Sequence, residues 1–213
     1  MTALRELHRR CDHDERVWTL AVAGELVFSG SADRTVRAYR LRGGRLQPEE
    51  TLTGEHTKSV RSLAVSPDGG LLAAAGFDRR VSVWALRAEP LECVAAFEAH
   101  ESEVKCAAFH PGGRLLATCG RDKSVWLWEF DDAGEFGLAC VLSAHTQDVK
   151  CVAWAPGRDW LVSGSYDAAV KLWRRDPAAE EDVEYCCAQT LSAHRETVWC
   201  LEFAGADAMF SAD

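Results

Sequence analysis

The sequence predicts an all-β fold built from repeated four-stranded units. Within Ala99–Glu129, three short segments of alternating apolar residues are separated by turn signals such as Pro111–Gly113. This pattern is typical of strands joined by tight hairpins. The same pattern recurs along the 213 residues with a nearly constant period, which indicates a repeat architecture rather than one irregular domain.

Two markers define the repeats. Histidines recur at intervals of 43, 44, 45 and 49 residues, and aspartates recur at 45, 44 and 45, each followed six residues later by an aromatic residue. A period of ~40–45 residues with this spacing resembles the WD40 repeat, in which four strands form one blade of a β-propeller. The markers are His13, His56, His100, His145 and His194, then Asp33, Asp78, Asp122 and Asp167, then Tyr39, Trp84, Trp128 and Trp173.

The repeats follow one another along most of the chain. Residues 1–12 precede them, and Leu4 and Leu7 are candidates for a strand that completes the last blade of the ring. Repeats begin near residues 13, 56, 100, 145 and 194, so we assign residues 13–213 to the propeller.

Two polar segments separate the repeats. Arg42–Leu52 predicts a polar loop, and Arg174–Tyr185 predicts an acidic, solvated loop that connects blades. The 22-residue His-to-Asp spacing places the fifth aspartate at position 216, beyond the last residue. We therefore expect four full repeats and part of a fifth, an incomplete propeller from either a fragment or a truncated gene model.

Composition and motifs argue against several functions. A net charge of −9 and a pI of about 5.3 give a field that repels phosphate backbones, so we expect no nucleic-acid partner. No apolar run approaches the ~18 residues of a membrane helix, and the first residues lack the apolar core of a secretory signal. Phosphate-binding loops and paired catalytic carboxylates are missing from the sequence, so we expect no small-molecule substrate and no cofactor.

The nine cysteines predict free thiols that are generally buried, because most of them stand within apolar strand segments. No C-x-x-C pair occurs, and without an export signal a reducing compartment is expected. Cys106, Cys151 and Cys200 share one position in successive repeats, where Thr19 and Ser62 stand in the first two. We interpret them as small buried strand residues, because neighbouring blades hold them too far apart to share a metal with bonds of about 2.3 Å.

A histidine, a hydroxyl residue, an aspartate and a tryptophan recur together in the third and fourth repeats. We predict a structural network in which the indole donates to the hydroxyl, the hydroxyl to the histidine and the histidine to the aspartate. The alternative is a hydrolase that uses Ser163, His145 and Asp167. The two sets are His100, Thr118, Asp122 and Trp128, and His145, Ser163, Asp167 and Trp173.

Two repeats depart from this template. The second has Ala74 at the hydroxyl position, and the first has Tyr39 in place of tryptophan. We expect these two blades to be held by apolar packing more than by a polar network.

Cations and aromatic residues recur at two positions that a propeller presents on one face. One position follows the first valine of each inner strand, and the other directly precedes the aspartate. Trp, Tyr and Arg contribute most of the energy in protein interfaces, so we predict a docking surface for an acidic or C-terminal-carboxylate peptide. This surface, called the rim below, consists of Trp18, Arg61, Phe77, Lys105, Arg121, Lys150, Tyr166 and Trp199.

Several stretches resemble one WD40 family more closely than the general repeat does. HESEVK, RDKSVW, HTQDVK and SYDAAVKLW are similar to the WD40 protein of the cytosolic iron–sulfur cluster assembly (CIA) machinery. The resemblance is closest over His100–Leu201 and stays in register over Cys11–Leu91.

This resemblance implies a seven-bladed scaffold without enzymatic activity or a cluster of its own. The implied partners are the subunits of the CIA targeting complex and iron–sulfur apoprotein clients, in the cytoplasm with the nucleus as a second location. It also implies a functional role for Arg121, whereas Leu172–Arg174 departs from the family's Leu-Tyr-Arg co-chaperone motif by carrying Trp173. The alternative scaffold is a generic WD40 adaptor, such as a ubiquitin-ligase substrate receptor.

Overall fold

The computed structural model describes residues 6–131, 134–176, 183–205 and 208–213. Within these residues the chain forms eighteen strands and no helix, which confirms the all-β prediction. The strands build four four-stranded antiparallel sheets and a two-stranded fifth sheet, and within each sheet neighbours in sequence are neighbours in space. We call these sheets blades 1 to 5.

The strand bounds follow the predicted repeats. Blade 1 comprises β1 (Val17–Ala23), β2 (Leu26–Ser31), β3 (Val36–Arg42) and β4 (Arg45–Leu52). Blade 2 comprises β5 (Val60–Val65), β6 (Leu71–Gly76), β7 (Arg80–Ala85) and β8 (Glu92–Glu98). Blade 3 comprises β9 (Val104–Phe109), β10 (Leu115–Gly120), β11 (Val125–Phe130) and β12 (Phe136–Leu142). Blade 4 comprises β13 (Val149–Trp154), β14 (Trp160–Ser165), β15 (Val170–Arg175) and β16 (Tyr185–Leu191). Blade 5 comprises β17 (Cys200–Phe203) and β18 (Met209–Ala212).

The core lies between successive blades. The first strands of neighbouring blades contact one another, so they lie innermost and the fourth strands lie outermost. All six residues of β10 are buried, because a second strand is covered by a blade on each side. Each of the four junctions has its own apolar cluster, represented in chain order by Phe28 with Leu63, Ala73 with Leu116, Leu127 with Trp154, and Val162 with Leu201.

Short polar side chains also link the inner strands across the blade junctions. Thr19 Oγ1 accepts a hydrogen bond from the Leu63 N–H at 3.3 Å, and Ser62 Oγ accepts one from the Ala107 N–H at 3.1 Å. Cys106 Sγ lies 3.8 Å from the Val152 carbonyl oxygen at the next junction. These residues therefore bond one blade to the next, which the prediction of simple packing missed.

The turn between the second and third strands of each complete blade is organised by its aspartate. Asp33 accepts hydrogen bonds from the Thr35 N–H at 3.0 Å and from the Asp14 N–H at 3.2 Å, and so ties the turn to the loop before β1. The residue after the aspartate has a positive φ in all four turns, at Arg34, Arg79, Lys123 and Ala168. These ties hold two loops of every complete blade side by side on one face.

The two predicted loops between blades are corrected by the structure. Most of Arg42–Leu52 forms strand β4, which follows a turn at Gly43 and Gly44 with φ of 55° and 74°. Its polarity reflects an outer edge strand that faces solvent, where Pro48 is tolerated. Arg174–Tyr185 contributes the end of β15 and the first residue of β16, so it joins two strands of blade 4 and not two blades; its residues 177–182 lie outside the described ranges.

The ring-closing strand stays a prediction. Leu4 lies outside the described residues, and Leu7 lies outside the strands with its side chain largely exposed.

Candidate functional site

The structure brings the predicted polar residues of blades 3 and 4 together. Trp173 Nε1–H donates to Ser163 Oγ at 2.8 Å, and His145 lies 2.8 Å from Ser163 Oγ through Nε2 and 2.9 Å from Asp167 through Nδ1. The network of blade 3 has the same geometry, with distances of 3.0, 2.8 and 2.8 Å among Trp128, Thr118, His100 and Asp122.

Burial determines the charge states in these networks. Burial lowers the pKa of His145 despite the neighbouring Asp167, so the imidazole is neutral at neutral pH. Burial alone would raise the pKa of Asp167, but hydrogen bonds from the Thr146 N–H and from His145 outweigh it and lower that pKa. Ser163 is 0% exposed, so its hydroxyl is closed to a substrate although its partners match those of a triad nucleophile.

Blade 2 has a complete polar network although Ala74 carries no hydroxyl, and the larger contribution of apolar packing in this blade stays a prediction. Ser82 on β7 lies directly opposite Ala74 on β6 and supplies the missing hydroxyl. Its Oγ lies 3.0 Å from His56 Nε2 and accepts the Trp84 Nε1–H at 3.0 Å. Comparison of the repeats position by position finds only Ala74 at the hydroxyl position. Ser82 on the facing strand brings its hydroxyl to the equivalent place, between the His56 imidazole and the Trp84 indole.

Blade 1 also has a polar network. His13 lies 2.7 Å from Ser29 Oγ through Nε2 and 2.7 Å from Asp33 through Nδ1. Burial raises the pKa of Tyr39, and its hydrogen bond with Ser29 opposes that shift. The polar network of His13, Ser29 and Asp33 therefore forms with tyrosine in place of tryptophan, and the larger contribution of packing in this blade stays a prediction.

In blade 5, His194 makes two comparable contacts. Its Nε2 lies 2.6 Å from Ser211 Oγ, and its Nδ1 lies 3.2 Å from Asp213.

The nine cysteines, all within the described residues, are free thiols. Cys119 and Cys151 are buried, but Cys11, Cys186, Cys187 and Cys200 are exposed, so the prediction of generally buried thiols is wrong. The difference arises because β16 is an outermost strand and β17 belongs to a sheet of two strands. Among the described residues, no three His, Cys, Asp or Glu side chains are grouped to hold a metal ion.

The rim residues form cation–aromatic pairs, most of which cross a blade junction. The Arg61 guanidinium lies 5.4 Å from the Trp18 ring centre, and Lys105 Nζ lies 4.2 Å from that of Phe77. Lys150 Nζ lies between two rings, 5.2 Å from Tyr166 and 5.5 Å from Trp199. Pairs of this kind contribute about 0.5–1 kcal/mol at exposed sites, so they hold the side chains in place across blades 1 to 5.

Three aromatic side chains of the rim are exposed to solvent. Trp18, Tyr166 and Trp199 are 37%, 52% and 57% exposed. The Arg121 side chain is 60% exposed at the turn before Asp122. Exposed indole, phenol and guanidinium groups on one face have the composition of an interface hot spot.

Three rim contributors were missed by the sequence analysis. The Arg16 guanidinium is a second cation over the Trp18 ring and lies 5.1 Å from the ring centre. Glu103 contacts Arg121 at 3.2 Å and Lys105 at 3.7 Å, and Asp148 contacts Lys150 at 3.1 Å. All three stand two residues before a rim residue of an inner strand, so the spacing of the repeat is the signal that could have located them.

The comparisons with known proteins agree with this architecture. The family model described as "WD domain, G-beta repeat" matches residues 4–40, 46–85, 91–129 and 137–174.

Within the described residues, no helix is long and apolar enough to cross a membrane.

Curated relatives carry iron–sulfur assembly names. The chain is 40% identical over 135 residues to "Probable cytosolic iron-sulfur protein assembly protein 1" of Candida glabrata, covering 58% of this chain and 40% of the relative. It is 42% identical over 96 residues to "Probable cytosolic iron-sulfur protein assembly protein Ciao1" of Culex quinquefasciatus, covering 40% and 26%. It is 40% identical over 106 residues to "Protein CIA1" of Arabidopsis thaliana, covering 45% and 30%. The chain thus spans well under half the length of these relatives.

Proposed function

This chain belongs to the WD40-repeat family, and on that premise we propose that it is a non-catalytic scaffold of cytosolic iron–sulfur protein assembly. In this role it docks partner proteins on the rim. The partners are subunits of the CIA targeting complex and apoproteins that receive clusters. We propose the cytoplasm as its location, with the nucleus as a second site of action.

The rim carries this proposal. Its aromatic side chains are exposed on one face and are held by cations of the same blade, at Tyr166, or of a neighbouring blade, at Trp18 and Trp199. Rigid aromatic and arginine side chains bind partners with little loss of conformational entropy. The assembly pathway is supported by the names of the relatives, which align at 40–42% identity.

A non-catalytic role is supported by the buried networks. Ser163 and Thr118 are both 0% exposed, and each accepts an indole N–H while lying against a histidine. A histidine lies between a hydroxyl and an aspartate in four successive blades, which is the behaviour of a structural motif rather than of an active site.

The test is affinity capture from cytosol with the immobilised chain, followed by identification of the bound proteins. We expect subunits of the iron–sulfur targeting machinery and iron–sulfur apoproteins to be recovered. Arg121→Glu should reduce their recovery at least tenfold, because it places a carboxylate beside Glu103 on the docking face.

Arg87→Glu is the matched control. Arg87 is also an exposed arginine with one carboxylate partner, Asp68 at 2.9 Å, but it lies on the opposite face. Its substitution should leave recovery unchanged. Equal recovery by wild-type protein and the Arg121 variant would contradict docking at the rim, and capture of ubiquitin-ligase subunits instead would contradict the assembly role.

A further inference from the structure

Glu103 makes the closest charged contacts of Arg121. Its two carboxylate oxygens each lie 3.2 Å from Arg121 Nη1, and one of them lies 3.7 Å from Lys105 Nζ. Burial alone would raise the pKa of Glu103, but the hydrogen bond from Arg121 and the charge of Lys105 outweigh it and lower that pKa. Glu103 is therefore ionised at neutral pH and neutralises part of the positive charge of the rim.

The Glu103 side chain is not needed to shape its loop. The Arg121 N–H donates to the Glu103 carbonyl oxygen at 2.9 Å, and this backbone bond holds the turn against the inner strand. Blade 2 has the same bond at 2.9 Å, from the Phe77 N–H to the Ser59 carbonyl, without a carboxylate at either position. The Arg121 side of this ion pair is 60% exposed, and an ion pair at the surface adds little to folding. Fold stability therefore does not account for the contact of the carboxylate with Arg121.

The cations of the rim are not equivalent. Lys105, Arg121 and Lys150 share the carboxylates of Glu103 and Asp148. Arg16 and Arg61, stacked on Trp18, have no carboxylate within 4.0 Å among the described residues. On blades 1 and 2 the cations of this face therefore have no carboxylate partner among the described residues. On blades 3 and 4 the cations are already paired with carboxylates.

We propose that Glu103 is a built-in competitor that occupies the place on Arg121 which an acidic group of a partner would take. Glu103 contacts the guanidinium through Nη1. An acidic group that binds Nη1 must displace Glu103, and one that binds elsewhere on the guanidinium is repelled by it. Such a repulsive element weakens the binding of every acidic group at Arg121, so that only a partner with further contacts on the rim binds tightly. This inference rests on the proposed function, because it assumes that acidic partners dock on the rim.

The test measures the binding of a fluorescent hexaglutamate peptide by anisotropy at low salt, with hexaglutamine as the neutral probe. Glu103→Gln keeps the shape of the side chain and removes its charge. It should bind hexaglutamate about three- to tenfold more tightly than the wild-type chain, since it frees Arg121 and Lys105 from their contacts with the Glu103 carboxylate. Arg121→Glu should bind it at least tenfold more weakly, and hexaglutamine should respond to neither substitution.

The matched control is Glu49→Gln. Glu49 also pairs with an arginine, Arg40 at 2.8 Å, on the opposite face, so this variant should bind like the wild-type chain.

Each outcome decides between the two proposals. If Arg121→Glu weakens binding but Glu103→Gln does not strengthen it, the competitor role is wrong and docking at the rim stands. If Arg121→Glu has no effect, or if neither wild-type protein nor Glu103→Gln binds hexaglutamate, both are overturned. Equal strengthening by Glu49→Gln would overturn the competitor role, because the gain would then reflect net charge alone.

Discussion

At the scale of single residues, the position of a hydroxyl matters more than the strand that supplies it. Thr118, Ser163 and Ser82 occupy the same point between an imidazole and an indole, although Ser82 lies on a different strand. A buried indole N–H and imidazole both require a partner. The hydroxyl partner comes from the second strand of the blade at Thr118 and Ser163, and from the third strand at Ser82.

Ser82→Ala should destabilise the chain by about 1–3 kcal/mol, because it leaves two buried groups of His56 and Trp84 unpaired. Urea unfolding measures the loss. Adding Ala74→Ser to this variant should recover part of it, since position 74 lies directly opposite and corresponds to Thr118. A Ser82→Ala variant as stable as the wild-type chain would mean that packing alone holds blade 2.

At the scale of elements, close approach between blades depends on small residues near the ends of the second strands. A Cβ atom at Gly164 would lie 2.7 Å from Val198 Cγ1 and 2.8 Å from Cys151 Sγ. Val198 precedes Trp199 of the rim, so the fit of β14 against blade 5 also positions a rim residue.

Gly164→Ala should therefore cost about 1–3 kcal/mol through overpacking. It should also raise amide hydrogen exchange in β17, because the junction between blades 4 and 5 must open to admit the methyl group. Gly137→Ala is the control, since a Cβ there meets no atom within 4 Å. Unchanged exchange in β17 would contradict a tight junction.

The strands that alternate between apolar and polar residues could be predicted, and those at the edges could not. The periods of histidine and aspartate located the blades, because a turn and a buried network must recur in each of them. β4 was missed because an outer strand of polar residues lacks the alternation that marks a half-buried strand. β16 follows a charged segment, and its side chains after Tyr185 are exposed, so its sequence resembles a loop.

At the scale of the whole molecule, the rim exists because equivalent positions of successive blades converge on one face. The placement of the eight rim residues on one face could be predicted, because each occupies a recurring position of the repeat, whereas their role in docking stays a prediction. Their partners could not, because the contacts of Arg61, Lys105 and Lys150 with aromatic rings cross junctions between blades. The roles of Glu103 and Asp148 depend on distances of 3.1–3.7 Å that spacing alone does not reveal.

The buried aspartates, one in each complete blade, predict an acid-sensitive fold. Burial alone would raise the pKa of Asp33, but hydrogen bonds from Thr35 and His13 outweigh it and lower the pKa to about 2. The pKa values of Asp78, Asp122 and Asp167 are lowered in the same way by their histidines and backbone N–H groups. Because the folded state lowers these values, their stabilisation is complete above pH ~4 and is lost as the pH falls through the folded-state pKa.

His145 contributes at a higher pH with the same sign. Burial lowers its pKa in the folded state, so the unfolded chain binds a proton more readily below pH ~6.5 and stability falls from there. The unfolding free energy should therefore decline gently below pH ~6.5 and steeply below pH ~4. The shift of Asp33 alone contributes about 2 kcal/mol to the steep part.

Urea unfolding between pH 7 and pH 2 measures this profile. Asp33→Asn should be less stable at pH 7 and should lose less stability than the wild-type chain between pH 4 and pH 2, because the substituted side chain no longer titrates. A variant curve parallel to that of the wild-type chain would show that Asp33 does not contribute to the acid transition. Since every core cluster lies between two blades, the loss of one network loosens its neighbours, and the transition should be cooperative across the described blades.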